Sequence, residues 1–272
     1  VVYDAEIFTK IKESFNELNS LEKYRLLEDT WKSVTIGKFS INEFLEFLPI
    51  YKSERDPNIW AYIAGIISSL SKILPIESNV SFVNYFNELI DSIKNDLGKE
   101  IKDSDSMEIK ELRATVNKLI GTIENEESFV DFYSSKFKDG SIENIEDGSL
   151  YNTTLYISAL DPEIKIEHFL EKFLNAGSPQ IEGRYRAILG VVRDPNAGKI
   201  IVQSMLDGTI RGADCPYILA SMIANKVTGK DSWNEIKDNY SGLLGIMPEW
   251  TASRLLSGLD AIFDRELGDD IR

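Results

Sequence analysis

Histidine and cysteine are almost missing from this 272-residue sequence, which contains one of each, His168 and Cys215. Catalysis by a Ser-His-Asp or Cys-His device needs a histidine to carry the proton, so every such mechanism would have to use His168. Two residues are also too few for an ordinary zinc or thiolate site. We therefore do not expect these residues to catalyse a reaction by themselves.

Both residues have a simple structural interpretation. His168 lies in the segment EIKIEHFLEKFL, whose periodicity predicts an amphipathic helix with the histidine on its surface or in helix packing. Cys215 precedes Pro216 in ADCPYIL and is predicted to enter the first turn of a buried helix as a packed thiol. A single cysteine cannot form an internal disulfide, which favours a reducing compartment and hence a cytoplasmic protein.

Long apolar runs and an excess of positive charge are also missing. No stretch reaches the roughly 18 apolar residues that a membrane-spanning helix requires, and no signal-peptide pattern opens the sequence. With 45 acidic and 30 basic residues, the formal charge of −15 repels nucleic-acid phosphates and anionic membranes. We therefore expect neither a nucleic acid nor a membrane as a partner.

Apolar residues make up 43% of the sequence, which is enough for a sizeable core, and they recur at helical spacing. Steps of three and four residues run through the segments that begin at Ile7 and Phe82, and no comparable stretch alternates with a period of two. The sequence therefore predicts an all-α fold. Four tryptophans among aliphatic neighbours are predicted to pack in the core, namely Trp31, Trp60, Trp233 and Trp250.

Four dipeptides predict helix starts, because each pairs an N-cap side chain with a proline at the first helical position. They are Asp56-Pro57, Asp161-Pro162, Ser178-Pro179 and Asp194-Pro195. The last three lie close enough together for helices of about a dozen residues joined by short turns. This arrangement predicts an irregular α-α superhelix of HEAT- or armadillo-like antiparallel helix pairs.

Two segments interrupt the regular pattern. DSDSMEIKELRATVNKLIGTIENEES follows a polar stretch around residues 98–105 and carries a long charged helix face, and KFKDGSIENIEDGS is a loose stretch with predicted turns. Neither is long enough to separate independent domains, and the acidic flanks of the first are interpreted as solvated surface rather than as metal ligands. We therefore predict one helical domain over residues 5–272.

The segment from Tyr24 to Trp60 resembles the opening of the C-terminal helical domain of zinc aminopeptidases of the aminopeptidase N type. The positions that carry the resemblance are Arg25, Asp29, Trp31, Gly37, Ser40, Glu54 and Trp60. Two later segments, RYRAILGVVRDPNAGKIIVQSML and MIANKVTGKDSWNEIKDNYSGLL, are similar to a helix with an arginine and a turn, and to an Asn-containing turn before a tryptophan helix. The lysine- and isoleucine-rich composition favours the archaeal members, which degrade oligopeptides released by the proteasome or tricorn protease.

The resemblance implies that residues 1–4 are the tail of a preceding β-sandwich domain and that residues 5–272 form a bowl of paired helices. This bowl would enclose the active-site chamber of a zinc aminopeptidase and limit the length of the oligopeptides admitted. The HExxH motif, its downstream glutamate and the GxMEN loop do not occur in this sequence. No cofactor is expected here, because zinc would belong to the catalytic domain of the parent chain. The implied partners are that domain, the β-sandwich domain and the oligopeptide substrate.

Two basic residues are candidate peptide contacts, and no catalytic or metal-binding residue is predicted. Arg193 ends the apolar run AILGVV before Asp194, where the resembled family has an arginine that faces the cavity and can bind a peptide's C-terminal carboxylate. Alternatively, Arg193 pairs with Asp194 or with carbonyls at a helix C-terminus. Lys38, in the turn IGKFS, matches a basic peptide-contacting position of the family; alternatively it is a solvated turn lysine.

Two other functions are compatible with the sequence. A free-standing HEAT-like scaffold would bind a protein partner on its concave face. A helical glycosidase with paired carboxylates would suit the many acidic residues, although no distinctive Asp/Glu spacing supports it. The reading frame upstream of Val1 distinguishes the leading interpretation from the scaffold, because only an aminopeptidase would encode HExxH there.

Overall fold

The computed structural model describes residues 1–74, 79–102, 104–124 and 126–261. This part of the chain contains α-helices and short 3₁₀ segments and no strand, so the all-α prediction is confirmed. None of the helices described is both long and apolar enough to cross a membrane.

Fourteen α-helices occur in the described residues. They are α1 (Ala5–Glu13), α2 (Ser20–Thr35), α3 (Ile41–Phe47), α4 (Pro57–Ile73), α5 (Asn79–Leu97), α6 (Met107–Ile123), α7 (Glu127–Lys138), α8 (Gly148–Ser158), α9 (Ile166–Leu174), α10 (Pro179–Leu189), α11 (Ala197–Leu206), α12 (Cys215–Ile223), α13 (Gly229–Asp238) and α14 (Tyr240–Ile246). The 3₁₀ segments are Phe15–Glu17, Leu48–Tyr51, Ser141–Asn144 and Glu249–Ala261.

The chain divides into two compact units. Unit 1 comprises Val1–Ser71 and Glu77–Glu124, and unit 2 comprises Lys72–Ile76 and Asn125–Arg272. The division after Glu124 falls near the end of the segment DSDSMEIKELRATVNKLIGTIENEES. Helix α1 begins at Ala5, and residues 1–4 precede it without regular structure. A single domain over residues 5–272 with a β-sandwich tail ahead of it stays a prediction.

Unit 1 buries a cluster of aromatic rings. Phe8 and Phe47 lie with ring centroids 5.1 Å apart, and Phe47 meets Tyr51 edge-on at 5.7 Å. Trp60 is fully buried, and its indole N–H donates to the carbonyl oxygen of Glu54 at 2.8 Å. A buried indole needs such an acceptor, since an unpaired N–H away from water is costly. Two residues that carry the family resemblance, Glu54 and Trp60, therefore have a structural role.

Two of the four predicted helix starts are confirmed. Helix α4 begins at Pro57, and the side chain of Asp56 accepts the N–H two residues further on at 2.8 Å. Helix α10 begins at Pro179, and the hydroxyl of Ser178 accepts the N–H three residues further on at 3.3 Å. In both cases the cap side chain and the proline act as the sequence rule states.

The other two predicted helix starts are wrong. After Asp161-Pro162, helix α9 begins only at Ile166, and after Asp194-Pro195, helix α11 begins only at Ala197. Each aspartate accepts the N–H two residues further on at 2.9 Å, which closes an Asx turn before the helix. The same dipeptide can therefore form a turn or a helix start.

The tryptophan prediction holds for Trp60 and fails for Trp250. Trp31 and Trp233 are half-buried, whereas 74% of Trp250 is exposed. Trp250 lies in the 3₁₀ segment Glu249–Ala261, where a residue does not lie on the face that α-helical spacing would give it.

Unit 2 has a continuous core shared by helices α8 to α14. Helices α10 and α12 approach closely, because Gly190 at the end of α10 lies against Ser221 of α12. A Cβ atom added at Gly190 would lie 2.3 Å from the Cβ atom of Ser221, a distance that side chains do not tolerate. Because residue 190 is a glycine, the backbone at the end of α10 can lie this close to α12.

Candidate functional site

Arg193 lies in unit 2, in the loop between α10 and α11. We call residues 190–196 the Arg193 loop. Two candidate contacts were predicted from the sequence, and the other, Lys38, belongs to unit 1.

The first half of the Arg193 loop is held by one side chain, Asn225. Its amide nitrogen lies 3.1, 3.0 and 3.2 Å from the carbonyl oxygens of residues 190, 191 and 192, respectively. Its amide oxygen accepts the N–H groups two and three residues further on, at 3.0 and 3.3 Å. Because an amide carries two N–H bonds, at least one of them is shared between carbonyls. Asn225 thus fixes three consecutive peptide groups immediately before Arg193.

The second half of the loop is held by Asp194, which is almost fully buried. One oxygen of its carboxylate accepts the N–H of Asn196 at 2.9 Å, and the other accepts the N–H of Ile166 at 3.3 Å. Ile166 is the first residue of α9, so Asp194 also caps that helix. The backbone N–H of Arg193 donates to the carbonyl oxygen of Ala159 at 3.3 Å. The loop is therefore fixed to the end of α8, the start of α9 and the turn after α12.

Arg193 is half-buried. Burial lowers the pKa of its guanidinium below the ordinary value, and Tyr156 on α8 acts in the opposite direction. An arginine stays protonated at neutral pH even when partly buried, because its ordinary pKa lies far above neutrality. A cation that has already lost part of its water binds a carboxylate more strongly than one in bulk solvent. The Arg193 loop therefore carries a partly desolvated positive charge.

Lys38 lies in the turn between α2 and α3 and is exposed. Its N–H donates to the carbonyl oxygen of Ser33 at 2.8 Å, and Gly37 before it has a φ of +69°. This is a Schellman motif, which needs a residue able to adopt the left-handed conformation. The motif explains why a glycine precedes the lysine.

The side chain of Lys38 borders a cavity of about 550 Å³ in unit 1. Its lining residues include two lysines, Lys12 and Lys38, two glutamates, Glu43 and Glu46, and aromatic residues such as Phe8. Glu43 already closes the capping box of α3 with Ser40. Lys38 is thus both at a surface turn and at a cavity, and its role as a peptide contact stays a prediction.

Both sequence interpretations of the rare residues are confirmed. His168 is exposed on α9, and Cys215 is the fully buried first residue of α12. Burial, with a smaller contribution from Asp214, raises the pKa of the Cys215 thiol to about 11. Its Sγ atom lies 3.5 Å from the carbonyl oxygen of Arg211 and can donate to it. In the described part of the chain, no group of three His, Cys, Asp or Glu residues could hold a metal ion.

The raised pKa of Cys215 predicts a slow thiol. At pH 8, we expect Cys215 in the folded protein to react with Ellman's reagent on the order of 100-fold more slowly than in the unfolded chain, because little thiolate is present and access is blocked. Absorbance of the released thiolate, followed with and without guanidinium chloride, measures both rates. A folded protein that reacts as fast as the unfolded chain would contradict a packed thiol.

This chain is similar to known proteins over most of its length. The model of the ERAP1-like C-terminal domain family matches residues 1–267. Tricorn protease-interacting factor F2 of Thermoplasma volcanium is 25% identical over 261 residues, which cover 95% of this chain and 32% of that protein. The mitochondrial aminopeptidase 2 of Saccharomyces cerevisiae is 21% identical over 256 residues, which cover 90% of this chain and 26% of the yeast protein. This chain thus spans about a third or less of each relative's length. The resemblance predicted from the sequence is confirmed, and the chain belongs to the family of ERAP1-like C-terminal domains.

Proposed function

We propose that this chain is the non-catalytic C-terminal domain of a zinc-dependent aminopeptidase that removes N-terminal residues from oligopeptides. The observation that carries the proposal is the family match over residues 1–267. The name of the yeast relative and the small share of each relative that the chain covers support it. Zinc and hydrolysis would belong to the catalytic domain of the parent chain, because the HExxH motif is missing from these residues. The domain would enclose the chamber, select oligopeptides by size and act in the cytoplasm.

A direct comparison of activities tests this proposal. We expect a chromogenic amino-acid amide to be hydrolysed by the complete parent chain with zinc, and not by residues 1–272 with zinc. Hydrolysis by residues 1–272 would contradict a non-catalytic domain. If the complete chain is folded but also inactive, the alternative of a helical scaffold that binds a protein partner takes its place.

Within this function, we propose that Arg193 binds the C-terminal carboxylate of the peptide and that Lys38 makes a second peptide contact. Three features support Arg193: its positive charge, its partial burial and the fixed loop that carries it. A loop that is already ordered loses little entropy when a ligand binds, so more of the interaction energy appears as affinity. For Lys38, the support is its place at the cavity of unit 1.

A substitution in the parent enzyme tests the role of Arg193. We expect Arg193→Ala to raise KM about 10-fold or more for short peptides with a free C-terminal carboxylate, and to change KM little for the same peptides amidated at the C-terminus. Steady-state kinetics on matched peptide pairs measures this difference. Arg25→Ala is the control, because Arg25 is an exposed arginine of unit 1 that pairs with Glu28. Equal effects of Arg193→Ala on both peptides would remove Arg193 from the carboxylate role.

A further inference from the structure

A second cationic site lies on unit 2, around the exposed ring of Tyr217 on α12. The guanidinium carbon of Arg186, from α10, lies 5.5 Å from the centroid of this ring. The guanidinium carbon of Arg254, from the 3₁₀ segment Glu249–Ala261, lies 5.2 Å from the same centroid. Both distances are in the range of cation–π contacts, so one tyrosine positions two guanidinium groups. We call Arg186, Tyr217 and Arg254 the Tyr217 site.

Packing of the polypeptide brings these three residues together. The 3₁₀ segment lies directly on α12, where a Cβ atom added at Gly258 would be 2.3 Å from the carbonyl oxygen of Ala220. This close approach carries Arg254 to the ring of Tyr217. Arg186 comes from α10, which packs on α12 through Gly190 and Ser221.

An ion-pair network beneath the Tyr217 site leaves positive charge in excess. The buried carboxylate of Asp214 pairs with Arg186 at 2.7 Å and with Arg211 at 2.8 Å, and Arg211 also pairs with Glu182. Together with Arg254, the network contains three guanidinium groups and two carboxylates. These five groups together carry a charge of +1, in a chain whose formal charge is −15.

Among the described residues, the hydrogen-bonding groups at the surface of the site are donors without acceptors. Arg254 forms no ion pair with any of these residues, and its guanidinium lies over the Tyr217 ring. Within the same residues, Arg186 uses only the nitrogen that pairs with Asp214, and the hydroxyl of Tyr217 has no hydrogen-bond partner. Since a guanidinium has five N–H donors and no acceptor, the site presents several unused N–H groups next to a free O–H.

We propose that the Tyr217 site binds a carboxylate of an acidic peptide. Two observations favour a carboxylate over a phosphate. The network already contains one contact between an arginine and a carboxylate. Both Nε (2.9 Å) and a terminal nitrogen (2.8 Å) of Arg211 contact the carboxylate of Asp214. In addition, one carboxylate neutralises the local charge of +1, whereas a phosphate dianion would leave a negative charge in an acidic protein. The inference does not depend on an aminopeptidase parent, and it concerns a site separate from the Arg193 loop.

Titration with small probes tests the proposal. The probe is N-acetyl-glutamate amide, its neutral control is N-acetyl-glutamine amide, and inorganic phosphate is the competing anion. Followed by NMR on the Arg Nε–Hε and tyrosine ring signals, the glutamate probe is expected to bind with a Kd on the order of millimolar, as suits a half-exposed site. Its affinity should fall when NaCl rises from about 20 to about 200 mM, because salt screens exposed charges.

Arg254→Gln is the informative variant, because Arg254 forms no ion pair with the residues that the structure describes. We expect it to weaken binding of the glutamate probe at least about fivefold, whereas Arg25→Gln in unit 1 leaves binding unchanged. Tyr217→Leu, which removes the ring that positions both arginines, should have a similar effect. The proposal is overturned if the glutamate and glutamine probes bind alike, if Arg254→Gln binds as the wild type does, or if phosphate binds more tightly than the glutamate probe.

Discussion

Replacing Asn225 by alanine is expected to lower the free energy of unfolding by about 2–4 kcal/mol, because one side chain serves five backbone groups. The variant leaves the carbonyl groups of residues 190–192 without their donor, and two of these residues, Gly190 and Val192, are buried. Urea unfolding followed by far-UV circular dichroism measures the change.

A matched control separates this effect from the loss of any asparagine. Asn95 is exposed on α5 and bonds only to Asp91 within its own helix, so Asn95→Ala should change the free energy of unfolding by less than about 0.5 kcal/mol. A change of similar size in both variants would contradict the special role of Asn225. Asn225→Asp keeps an acceptor for the two N–H groups and removes the donors, so it should be at least as destabilising as Asn225→Ala.

Asn225 also has an expected kinetic effect in the parent enzyme. If the Arg193 loop binds the peptide carboxylate, a loop that has lost Asn225 should reproduce the selective rise in KM of Arg193→Ala. Peptides with a free C-terminus and their amidated counterparts again provide the readout, at a temperature where the variant is folded. If the Asn225 variant raises KM equally for both kinds of peptide, Asn225 has a role in stability only.

Replacing Arg113 by methionine is expected to cost about 3–5 kcal/mol of stability. Arg113 is almost completely buried on α6, where its Nε donates to the carbonyl oxygen of Leu97 at 3.0 Å and its guanidinium pairs with Asp105. Methionine keeps much of the volume, so the loss reports the polar contacts rather than a cavity. Leu97 would lose its donor, and the Asp105 carboxylate would lose its counter-ion while still largely buried.

The pH dependence of stability provides an independent check on Arg113. Its hydrogen bond is the main cause that lowers the pKa of Asp105 below the ordinary 3.8. A carboxyl group with a lowered pKa stabilises the fold above about pH 4, and the contribution is lost as pH falls through the lowered pKa. The difference between wild type and Arg113→Met should therefore shrink between pH 7 and pH 3. Arg25→Met, at an exposed pair, should differ from wild type by about 1 kcal/mol or less at pH 7. If the stability difference between wild type and Arg113→Met is the same at pH 7 and pH 3, Arg113 does not lower the pKa of Asp105.

Local features of the fold could be predicted from the sequence because neighbouring residues determine them. The N-caps at Asp56 and Ser178 involve residues no more than three positions apart, and the apolar periodicity that indicated helices is equally local. The roles of Asp161 and Asp194 could not be predicted from neighbouring residues alone. Their side chains could cap a helix or close a turn, and for Asp194 the decision involves Ile166, whose N–H its second oxygen accepts.

The candidate sites depend on contacts that no local pattern contains. Asn225 reaches residues 190–192 from more than thirty positions away, and the Asn-containing turn in the sequence indicated a family resemblance without a role for this side chain. The Tyr217 site joins α10, α12 and a 3₁₀ segment, so its arginines had no predicted position. Arg193 itself was identified because it ends an apolar run before a turn, at a position where the resembled family has an arginine that faces the cavity.

The buried thiol of Cys215 has a practical consequence for spectroscopy. With one cysteine in the sequence, and that one packed at the start of α12, the folded protein offers almost no background for maleimide chemistry. A cysteine introduced at the exposed residue Ser253 or Ser257, close in sequence to Arg254, would accept a fluorophore selectively without removal of the native thiol. Such a label would report an acidic peptide arriving at Tyr217 by a change in emission, in a protein that is otherwise wild type.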